Sequence, residues 1–262
     1  MKYSYHVHSN HSDGKKSIKE IIDYAKQIRL NEIGFSDHFH LNKNDVLIPG
    51  DMGKESLDRY VEEVLHYSSS KDPIVKLGLE VEFNLETVQE VKKIIQSYPF
   101  DYVIGSVHIV DNNIIIDWSV DRLPSNFCSD IMKRYWYKIQ QMAKSRVFDI
   151  VGHLDLTKKF GLQPKIDLSE DIDLALKAIK DADMTVEVNT SGFFNPCKEQ
   201  YPSEDILKKC KELEIPIIVT SDAHVPEHLT RDFDKAFRLL KDIGYTKQAY
   251  FIKRERFFTS FK

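Results

Sequence analysis

The segment YSYHVHSNHSDG, residues 3 to 14, carries three histidines and an aspartate within eight positions, directly after a short apolar run. The apolar run predicts a β-strand. Side chains on a strand alternate between its two faces, so His6 and His8 point to the same side. Imidazole and carboxylate groups are ligands for Zn, Fe and Mn in proteins. A lone His-x-His pair is more often structural, so its meaning depends on the residues at the ends of the other strands.

Strand-like and helix-like segments alternate along the whole chain. Apolar, often β-branched runs typical of strands buried on both faces cover residues 3–9, 32–38, 74–83, 101–110, 148–156, 184–191 and 215–224. Amphipathic helical patterns cover residues 17–28, 55–67, 86–98, 129–144, 171–182, 204–213 and 233–244, with Ser17 placed as an N-cap. Seven β–α units in this order predict a parallel sheet, either closed as a barrel or open and doubly wound.

Ionisable or amide residues stand at or after the C-terminal end of each predicted strand. They are His6 and His8, Asp37 and His38, Glu80 and Glu82, His108, His153 and Asp155, Glu187 and Asn189, and Asp222 and His224. In a closed barrel the strand ends converge on one mouth, whereas the outer strands of an open sheet would hold these groups too far apart to share a site. We therefore predict an α/β fold, a distorted (β/α)7 TIM-like barrel, with a metal site at the C-terminal ends of its strands.

The composition and charge of the chain limit its organisation and its partners. A length of 262 residues suits one such barrel, and no linker divides the sequence, so residues 1–262 are predicted to form a single domain. The net charge of −4, with balanced signs, gives no basic face for nucleic acid. No segment has the character of a signal peptide or membrane span. We expect a cytoplasmic protein with no nucleic-acid or membrane partner, and the oligomeric state is left open.

The number of ligand-type residues at strand ends favours bound metal over a purely structural role. Buried imidazoles and carboxylates without ions or hydrogen bonds would be costly, and the supply suits about two or three ions. Such clusters hydrolyse phosphate esters by lowering the pKa of a bound water and clamping the phosphoryl oxygens. The chain has no G-x-S-x-G nucleophile elbow and no P-loop, which disfavours serine-based acyl transfer and nucleotide-driven chemistry.

Seven motifs resemble those of the polymerase-and-histidinol-phosphatase (PHP) superfamily: HVHSNHSDG (6–14), SDH (36–38), GLE (78–80), GSVH (105–108), GHLDL (152–156), NTSG (189–192) and SDAH (221–224). The stretches IGSVHIVD, VGHLDLTKKFG and VEVNTSGFFNP resemble the histidinol-phosphatase branch in particular. The resemblance implies a metal-dependent phosphomonoesterase of histidine biosynthesis. Its substrate would be a small-molecule phosphate monoester, L-histidinol phosphate, which it would hydrolyse to L-histidinol and phosphate.

The resemblance also implies three divalent metal ions, and their identity (Zn, Fe or Mn) is left open. Matching the motifs residue by residue assigns His6, His8 and Asp222 to the first ion, Glu80 as a bridge between the first and second, His108 and His153 to the second, and Asp13, His38 and His224 to the third.

Further residues are candidates for catalysis and substrate binding. Asp222 and the third-ion ligand His224 are the catalytic candidates, either of which would protonate the leaving alkoxide. The substrate-binding candidates are Lys158 and Lys159, which would hold phosphate, Asn189 and Ser191, which would form hydrogen bonds, and the loop histidine His11.

Several alternatives stay open from sequence. Glu82 shares a face with Glu80, so it would either bind metal or support a ligand, and His40 would either line the mouth or face solvent. A nucleotide or oligonucleotide phosphoesterase of the same superfamily would share the metal motifs. An amidohydrolase-type deaminase is disfavoured because no lysine ends a strand where a bridging carbamate would stand. A non-catalytic metal-binding protein is the remaining alternative.

Overall fold

Short strands with helices between them make up the computed structural model, which describes residues 2–41, 50–110, 114–116 and 125–261. The strands are β1 (Tyr3–Ser4), β2 (Glu32–Phe35), β3 (His38–Phe39), β4 (Ile74–Leu77), β5 (Glu80–Glu82), β6 (Ile104–Ser106), β7 (Ile109–Val110), β8 (Ile114–Ile115), β9 (Ile150–Val151), β10 (Thr185–Asn189), β11 (Ile217–Thr220), β12 (Lys247–Ile252) and β13 (Glu255–Ser260).

Parallel pairing connects all seven predicted strand regions in sequence order. One set of strands pairs in the order β1-β2-β4, and a second set in the order β3-β5-β6-β9-β10-β11. Regular strand structure is interrupted at residues 36–37 and 78–79, so β2 and β3 are two parts of one predicted strand region, as are β4 and β5. A parallel bridge between Val7 and Ala223 joins the first region to the seventh. The bridge closes the ring, and the predicted (β/α)7 barrel is confirmed.

The described helices are Ile18–Gln27, Lys54–Tyr67, Val88–Gln96, Ser125–Ser145, Ser169–Asp181, Glu204–Glu212 and Phe233–Ile243. The first helix begins as predicted at Ser17, whose hydroxyl accepts from the Glu20 N–H while the Glu20 carboxylate accepts from the Ser17 N–H. Its buried residues lie one turn apart on the face that packs on the barrel. None of the helices within the described ranges combines the length and apolar character needed to cross a membrane.

A C-terminal hairpin, which the sequence pattern did not predict, covers the end of the barrel where the strands begin. β12 and β13 pair antiparallel over residues 247–260. The Arg254 guanidinium contacts Asp149, just before β9, with two N–O distances of 2.9 Å. The Lys253 N–H donates to Asp101, which precedes β6. The hairpin therefore ties together the N-terminal ends of the strands.

The interior beneath the hairpin is filled with apolar and aromatic side chains. They are Tyr3, Tyr5, Tyr102, Ile104, Ile150, Ile218, Ala249 and Phe251. The Tyr102 ring fits because two neighbouring residues are glycines: a Cβ at Gly34 or at Gly78 would overlap the ring. The end of the barrel next to the hairpin, here called the lower end, is therefore packed. This leaves the opposite, upper end for the functional groups.

Candidate metal centre

The polar strand ends meet at the C-terminal mouth, where the first predicted ligand group comes together. The Nε2 atoms of His6 and His8 lie 3.6 and 3.2 Å from the Asp222 Oδ1 atom. The same nitrogens lie 3.1 and 3.5 Å from the Glu80 Oε2 atom. His6, His8 and Glu80 are buried, and His6, His8 and Asp222 each offer a ligand atom within 4.8 Å of the others. These side chains surround a space that suits one ion.

Glu80 lies between two sets of histidines. Its Oε1 atom is 3.0 Å from His153 Nε2 and 3.7 Å from His108 Nε2. The two imidazole nitrogens are themselves 3.0 Å apart. Its Oε2 atom faces His6, and lies 2.8 Å from His38 Nδ1. The two carboxylate oxygens therefore point into two different groups, which is the geometry that a bridging carboxylate requires.

The third predicted group lies nearest the solvent. The Asp13 Oδ2 atom is 3.1 Å from His224 Nε2, and its Oδ1 atom is 3.7 Å from His38 Nε2 and 3.8 Å from His8 Nδ1. Asp13 and His224 are 39% and 34% exposed, so this group marks the open side of the centre. His8 and His38 contact two groups each, one through each ring nitrogen. His38, Glu80 and His108 each offer a ligand atom within 4.8 Å of the others, so His38 also lies within reach of the second group.

Several buried polar atoms of these groups have no hydrogen-bond partner within the described residues. They are His6 Nε2, His8 Nδ1 and Nε2, Asp13 Oδ1, Glu80 Oε2 and His153 Nδ1. Each such atom costs about 1–3 kcal/mol when left unsatisfied in a protein interior. Most of them point into the ligand groups, and imidazole nitrogen with carboxylate oxygen is a donor set for divalent transition metals. The residues therefore fit divalent metal ions.

The carboxylates at the centre are held ionised, but the histidines differ from one another in their pKa values. Burial, together with the neighbouring His224 and His38, lowers the pKa of His8 to about 3, so its ring is neutral. Burial alone would raise the pKa values of Glu80 and Asp222, but the nearby imidazoles, His6 first among them, hold both well below their ordinary range. Burial would lower the pKa values of His6, His38 and His224, but neighbouring carboxylates raise all three. Because neutral imidazoles and ionised carboxylates are the forms that coordinate metal, metal binding at these three rings would displace protons.

Glu82 supports His108 and does not face the ligand groups. Its Oε2 atom accepts from the His108 backbone N–H at 2.8 Å and lies 3.1 Å from His108 Nδ1. The Lys138 ammonium lies 3.1 Å from the other carboxylate oxygen. Burial would raise the pKa of Glu82, but Lys138 and His108 lower it to about 2. Of the two predicted roles for Glu82, the geometry favours supporting a ligand over binding metal, because this carboxylate turns the His108 Nε2 atom toward Glu80.

Two side chains that were predicted to bind substrate form hydrogen bonds and ion pairs with other residues instead. The Lys158 ammonium donates to Glu199 at 2.7 Å and to the Gln200 carbonyl at 2.8 Å, and lies 3.0 Å from Asp155. The His11 Nε2 atom pairs with Glu63 at 2.7 Å, on the helix Lys54–Tyr67. These contacts weigh against the predictions that Lys158 holds phosphate and that His11 binds substrate, because both side chains are held by local acceptors.

The other predicted substrate residues lie at the end of β10 and in the segments that follow β9 and β10. The Asn189 side chain donates to Glu187 at 3.1 Å and to Asp222 at 3.4 Å, and its oxygen accepts from the Ser191 N–H. Asn189 is fully buried, so it braces the carboxylates at the centre. Ser191 and Lys159 are half-buried, and their substrate contacts stay predictions.

Two further residues complete the surroundings of the centre. His40 is 7% exposed, with its Nδ1 atom 3.7 Å from Asp51, so it does not face solvent. Glu187, a strand-end residue to which the sequence analysis gives no role, contacts the rings and backbone of predicted ligands directly. Its position in the middle of the inward-facing pattern Thr185–Asn189 is the one sequence signal that points to it.

Comparison with known proteins matches this geometry to a family. The PHP domain family matches residues 4–191. The chain is 30% identical over 258 residues to a probable histidinol-phosphatase of Deinococcus radiodurans, covering 91% of this chain and 92% of that protein. It is 28% identical to the histidinol-phosphatase of Lactococcus lactis subsp. lactis, covering 95% and 94% of the two chains. The crystal structure of histidinol phosphate phosphatase from Lactococcus lactis subsp. lactis, complexed with zinc, L-histidinol and phosphate, is similar over 98% of both chains, with a TM-score of 0.79 and 23% identity.

Proposed function

The chain belongs to the PHP domain family, and we propose that it is a metal-dependent phosphatase that hydrolyses L-histidinol phosphate to L-histidinol and phosphate. The observation that carries the proposal is the set of unpartnered imidazole and carboxylate atoms that converge at the barrel mouth. The substrate is supported by similarity over nearly the whole chain to histidinol-phosphatases. The crystallised Lactococcus lactis protein of the same fold holds L-histidinol and phosphate.

We propose three divalent ions, one for each ligand group. His6, His8 and Asp222 would hold the first, His108 and His153 the second, and Asp13, His38 and His224 the third, with Glu80 shared by the first two. Zn, Fe and Mn all suit these donors; the similar Lactococcus lactis structure contains zinc. Such ions, when bound, lower the pKa of a coordinated water and neutralise charge on the phosphoryl oxygens.

The chain's own residues would supply the proton for the leaving group. Departure of L-histidinol as an alkoxide requires a positioned acid. Asp222 and His224 line the open side of the centre, 18% and 34% exposed, with the His224 Nδ1 atom 3.5 Å from Asp222 Oδ1. Of these two groups, we propose that His224 gives the proton, because the Asp222 carboxylate is held ionised by the neighbouring imidazoles. Asn189, fully buried, would hold Asp222 in place through its amide.

The proposed substrate is a small molecule, and the proposed site of action is the cytoplasm. The net charge of −4 with mixed signs supports neither nucleic acid nor a membrane surface as a partner. A phosphate monoester would instead be attracted locally, by the metal centre itself.

A substrate comparison on one protein preparation tests the proposal. The protein is stripped with a chelator, reconstituted separately with Zn, Mn or Fe, and assayed for phosphate release from L-histidinol phosphate, a nucleoside monophosphate and a short oligonucleotide. We expect metal-dependent turnover with the highest kcat/KM for L-histidinol phosphate, and about three metal equivalents by elemental analysis. Faster turnover of either nucleic-acid substrate, or full activity after chelation, would overturn the proposal.

A further inference from the structure

Glu187 is a buried carboxylate at the centre of the barrel that the proposed metal assignment leaves without a role. It lies in the middle of β10, which pairs with β11 on one side and with β9 on the other. Its side chain is fully buried. An ionised group placed so deep costs several kcal/mol unless other groups compensate it, so its contacts should account for its presence.

Four donors occupy the two oxygens of Glu187. Oε1 accepts from His6 Nδ1 at 2.5 Å and from the Thr220 hydroxyl at 2.6 Å. Oε2 accepts from the His153 backbone N–H at 2.5 Å and from the Asn189 amide at 3.1 Å. Because an ionised carboxylate only accepts hydrogen bonds, the proton of a neutral His6 must sit on Nδ1.

This hydrogen bond decides which nitrogen of His6 can bind metal. With the proton on Nδ1, the lone pair of the ring is on Nε2. That atom points to the Glu80 and Asp222 carboxylates, at 3.1 and 3.6 Å, and has no hydrogen-bond partner in the described part of the chain. A carboxylate that fixes the tautomer of a ligating histidine in this way raises metal affinity.

The second oxygen of Glu187 reaches the neighbouring ligand group. Its bond to the His153 N–H holds the chain just after β9, and that chain segment carries the ring whose Nε2 atom lies 3.0 Å from both Glu80 and His108. One side chain thus supports a ligand of the first group and a ligand of the second.

We propose that Glu187 is a positioning residue that couples the first two ligand groups: it holds His6 in the Nδ1–H tautomer and fixes the backbone of His153. The inference rests on the proposed metal centre, but it is independent of the substrate. It predicts that Glu187 governs metal affinity more than it governs the stability of the metal-free fold.

Glu187→Gln is the sharpest variant because it changes one acceptor into a donor without changing shape. The His153 backbone N–H cannot accept, so the remaining amide oxygen must stay on that side. The new NH2 group then faces His6, whose Nδ1 atom must accept and whose Nε2 atom must take the proton. The variant therefore removes the lone pair from the ligand position. Thr220→Val is the matched control, since it removes a donor to the same oxygen and leaves the carboxylate intact.

Zinc titration of the metal-free proteins, with thermal unfolding with and without zinc, tests the proposal. We expect Glu187→Gln to weaken zinc binding by about 10–100-fold, while its metal-free melting temperature stays equal to or above wild type. Thr220→Val should bind zinc within about threefold of wild type, and Glu187→Asp, which keeps the charge but shortens the reach, should lie between the two. With ¹⁵N-labelled histidine, one imidazole of Glu187→Gln should change tautomer.

The outcomes separate this inference from the proposed function. If wild type binds no zinc, the proposed metal centre fails. If wild type binds zinc and Glu187→Gln binds it equally well, only the role of Glu187 fails. A Glu187→Gln chain that is destabilised equally with and without zinc, or that does not fold without it, assigns the residue a structural role and also overturns the inference.

Discussion

The two ends of the barrel are built from the same strands but bury opposite chemistry. In the first strand region, Tyr3 and Tyr5 belong to the lower apolar interior, and His6 and His8, the next inward residues, belong to the ligand groups. The tyrosine hydroxyls of the lower end have partners: Tyr3 donates to the Ala249 carbonyl and Tyr5 to the Glu32 carboxylate. The ring nitrogens of His8 face carboxylates at 3.2 to 3.8 Å but have no hydrogen-bond partner within the described residues.

The difference shows which end is built for stability and which for binding. A native interior satisfies nearly all of its buried polar atoms, so a cluster of unsatisfied ones needs an explanation. At the lower end, the tyrosine hydroxyls donate hydrogen bonds to acceptors, and the tyrosine rings pack against apolar side chains. At the upper end, several imidazole and carboxylate atoms lack hydrogen-bond partners, and these atoms lie close together. Within the described residues, the lower half leaves only the separate hydroxyls of Ser4 and Thr185 without a partner, whereas the unpartnered atoms of the upper half lie together and could be completed by ligands.

The largest effect should come from removing a shared ligand at the upper end. His8 contacts both the first and the third group, so His8→Ala should lower kcat/KM for L-histidinol phosphate by more than about a hundredfold, beyond the loss typical for residues that only support a ligand. Far-UV circular dichroism should stay close to wild type, because the lower half is untouched. Activity near wild type would refute the site.

His11→Ala is the matched control for His8, since it removes an imidazole from the same loop. His11 pairs with Glu63 and packs edge-on against Tyr60, and among the described residues no ion pair or ring contact joins it to a proposed ligand. We expect kcat/KM of this variant to stay within about threefold of wild type, the scale of an ordinary surface contact. A loss as large as that of His8→Ala would restore His11 as a substrate-binding residue.

The second largest effect is expected from a core substitution at the lower end, which should reduce stability and leave catalysis unchanged. Tyr102 is fully buried between Gly34 and Gly78, and its hydroxyl donates to the Tyr5 carbonyl. Tyr102→Ala should lower the free energy of unfolding by about 3–5 kcal/mol, as for other large-to-small core changes. Urea denaturation measures this, and kcat per folded molecule should be unchanged. Tyr137→Ala, at a ring that is 61% exposed, should change stability by less than about 0.5 kcal/mol.

The upper half could be predicted from sequence to a greater extent than the lower. The ligand residue types stand at the ends of apolar runs, so topology alone brings them together at the mouth. The hairpin at residues 247–260 carries charge at its turn and exposed Phe257 and Phe258, so its pattern does not mark it as a strand pair. Its role in closing the barrel depends on partners such as Asp149, about a hundred residues earlier in the chain.

Within the site, residue type predicted the ligand groups better than it predicted the surrounding contacts. Lys158 follows a strand end, as a phosphate-binding lysine would, but its acceptor Glu199 lies 41 residues later in a loop whose path the sequence does not reveal. Glu187 shows the opposite case. Its type suggests a ligand, and only the three-dimensional pairing with β9 and β11 shows that it faces the Nδ1 atom of His6.

A smaller effect is expected at Glu82, a buried carboxylate of the upper end whose charge is paired with Lys138. Lys138 lies 3.1 Å from Glu82 and donates to the Ile109 carbonyl at 2.7 Å. Lys138→Met removes the cation that keeps Glu82 ionised, which loosens the carboxylate's hold on His108. We expect kcat/KM to fall about tenfold, the lower range for groups that orient a metal ligand. Lys133→Met, on the exposed face of the same helix, should leave kcat/KM unchanged; equal losses in both would attribute the effect to the helix.

The smallest effect tests Glu32, a buried carboxylate of the lower end. Burial, the main influence, raises the pKa of Glu32 above its ordinary value, and the hydrogen bond from Tyr5 only partly offsets it. A raised pKa means that the folded state favours the protonated acid, so its contribution to stability is full at low pH and is lost as pH rises through the folded-state pKa. Glu32→Gln keeps an acceptor for Tyr5 but cannot ionise. The variant should therefore match wild type at about pH 4 and exceed it in urea denaturation at about pH 8, on either side of the onset of glutamate ionisation. The exposed Glu62→Gln should show no such crossover. If Glu32→Gln follows wild type at both pH values, the lower end tolerates buried charge as well as the upper end does, and the contrast between the two halves rests on the unpartnered imidazoles alone.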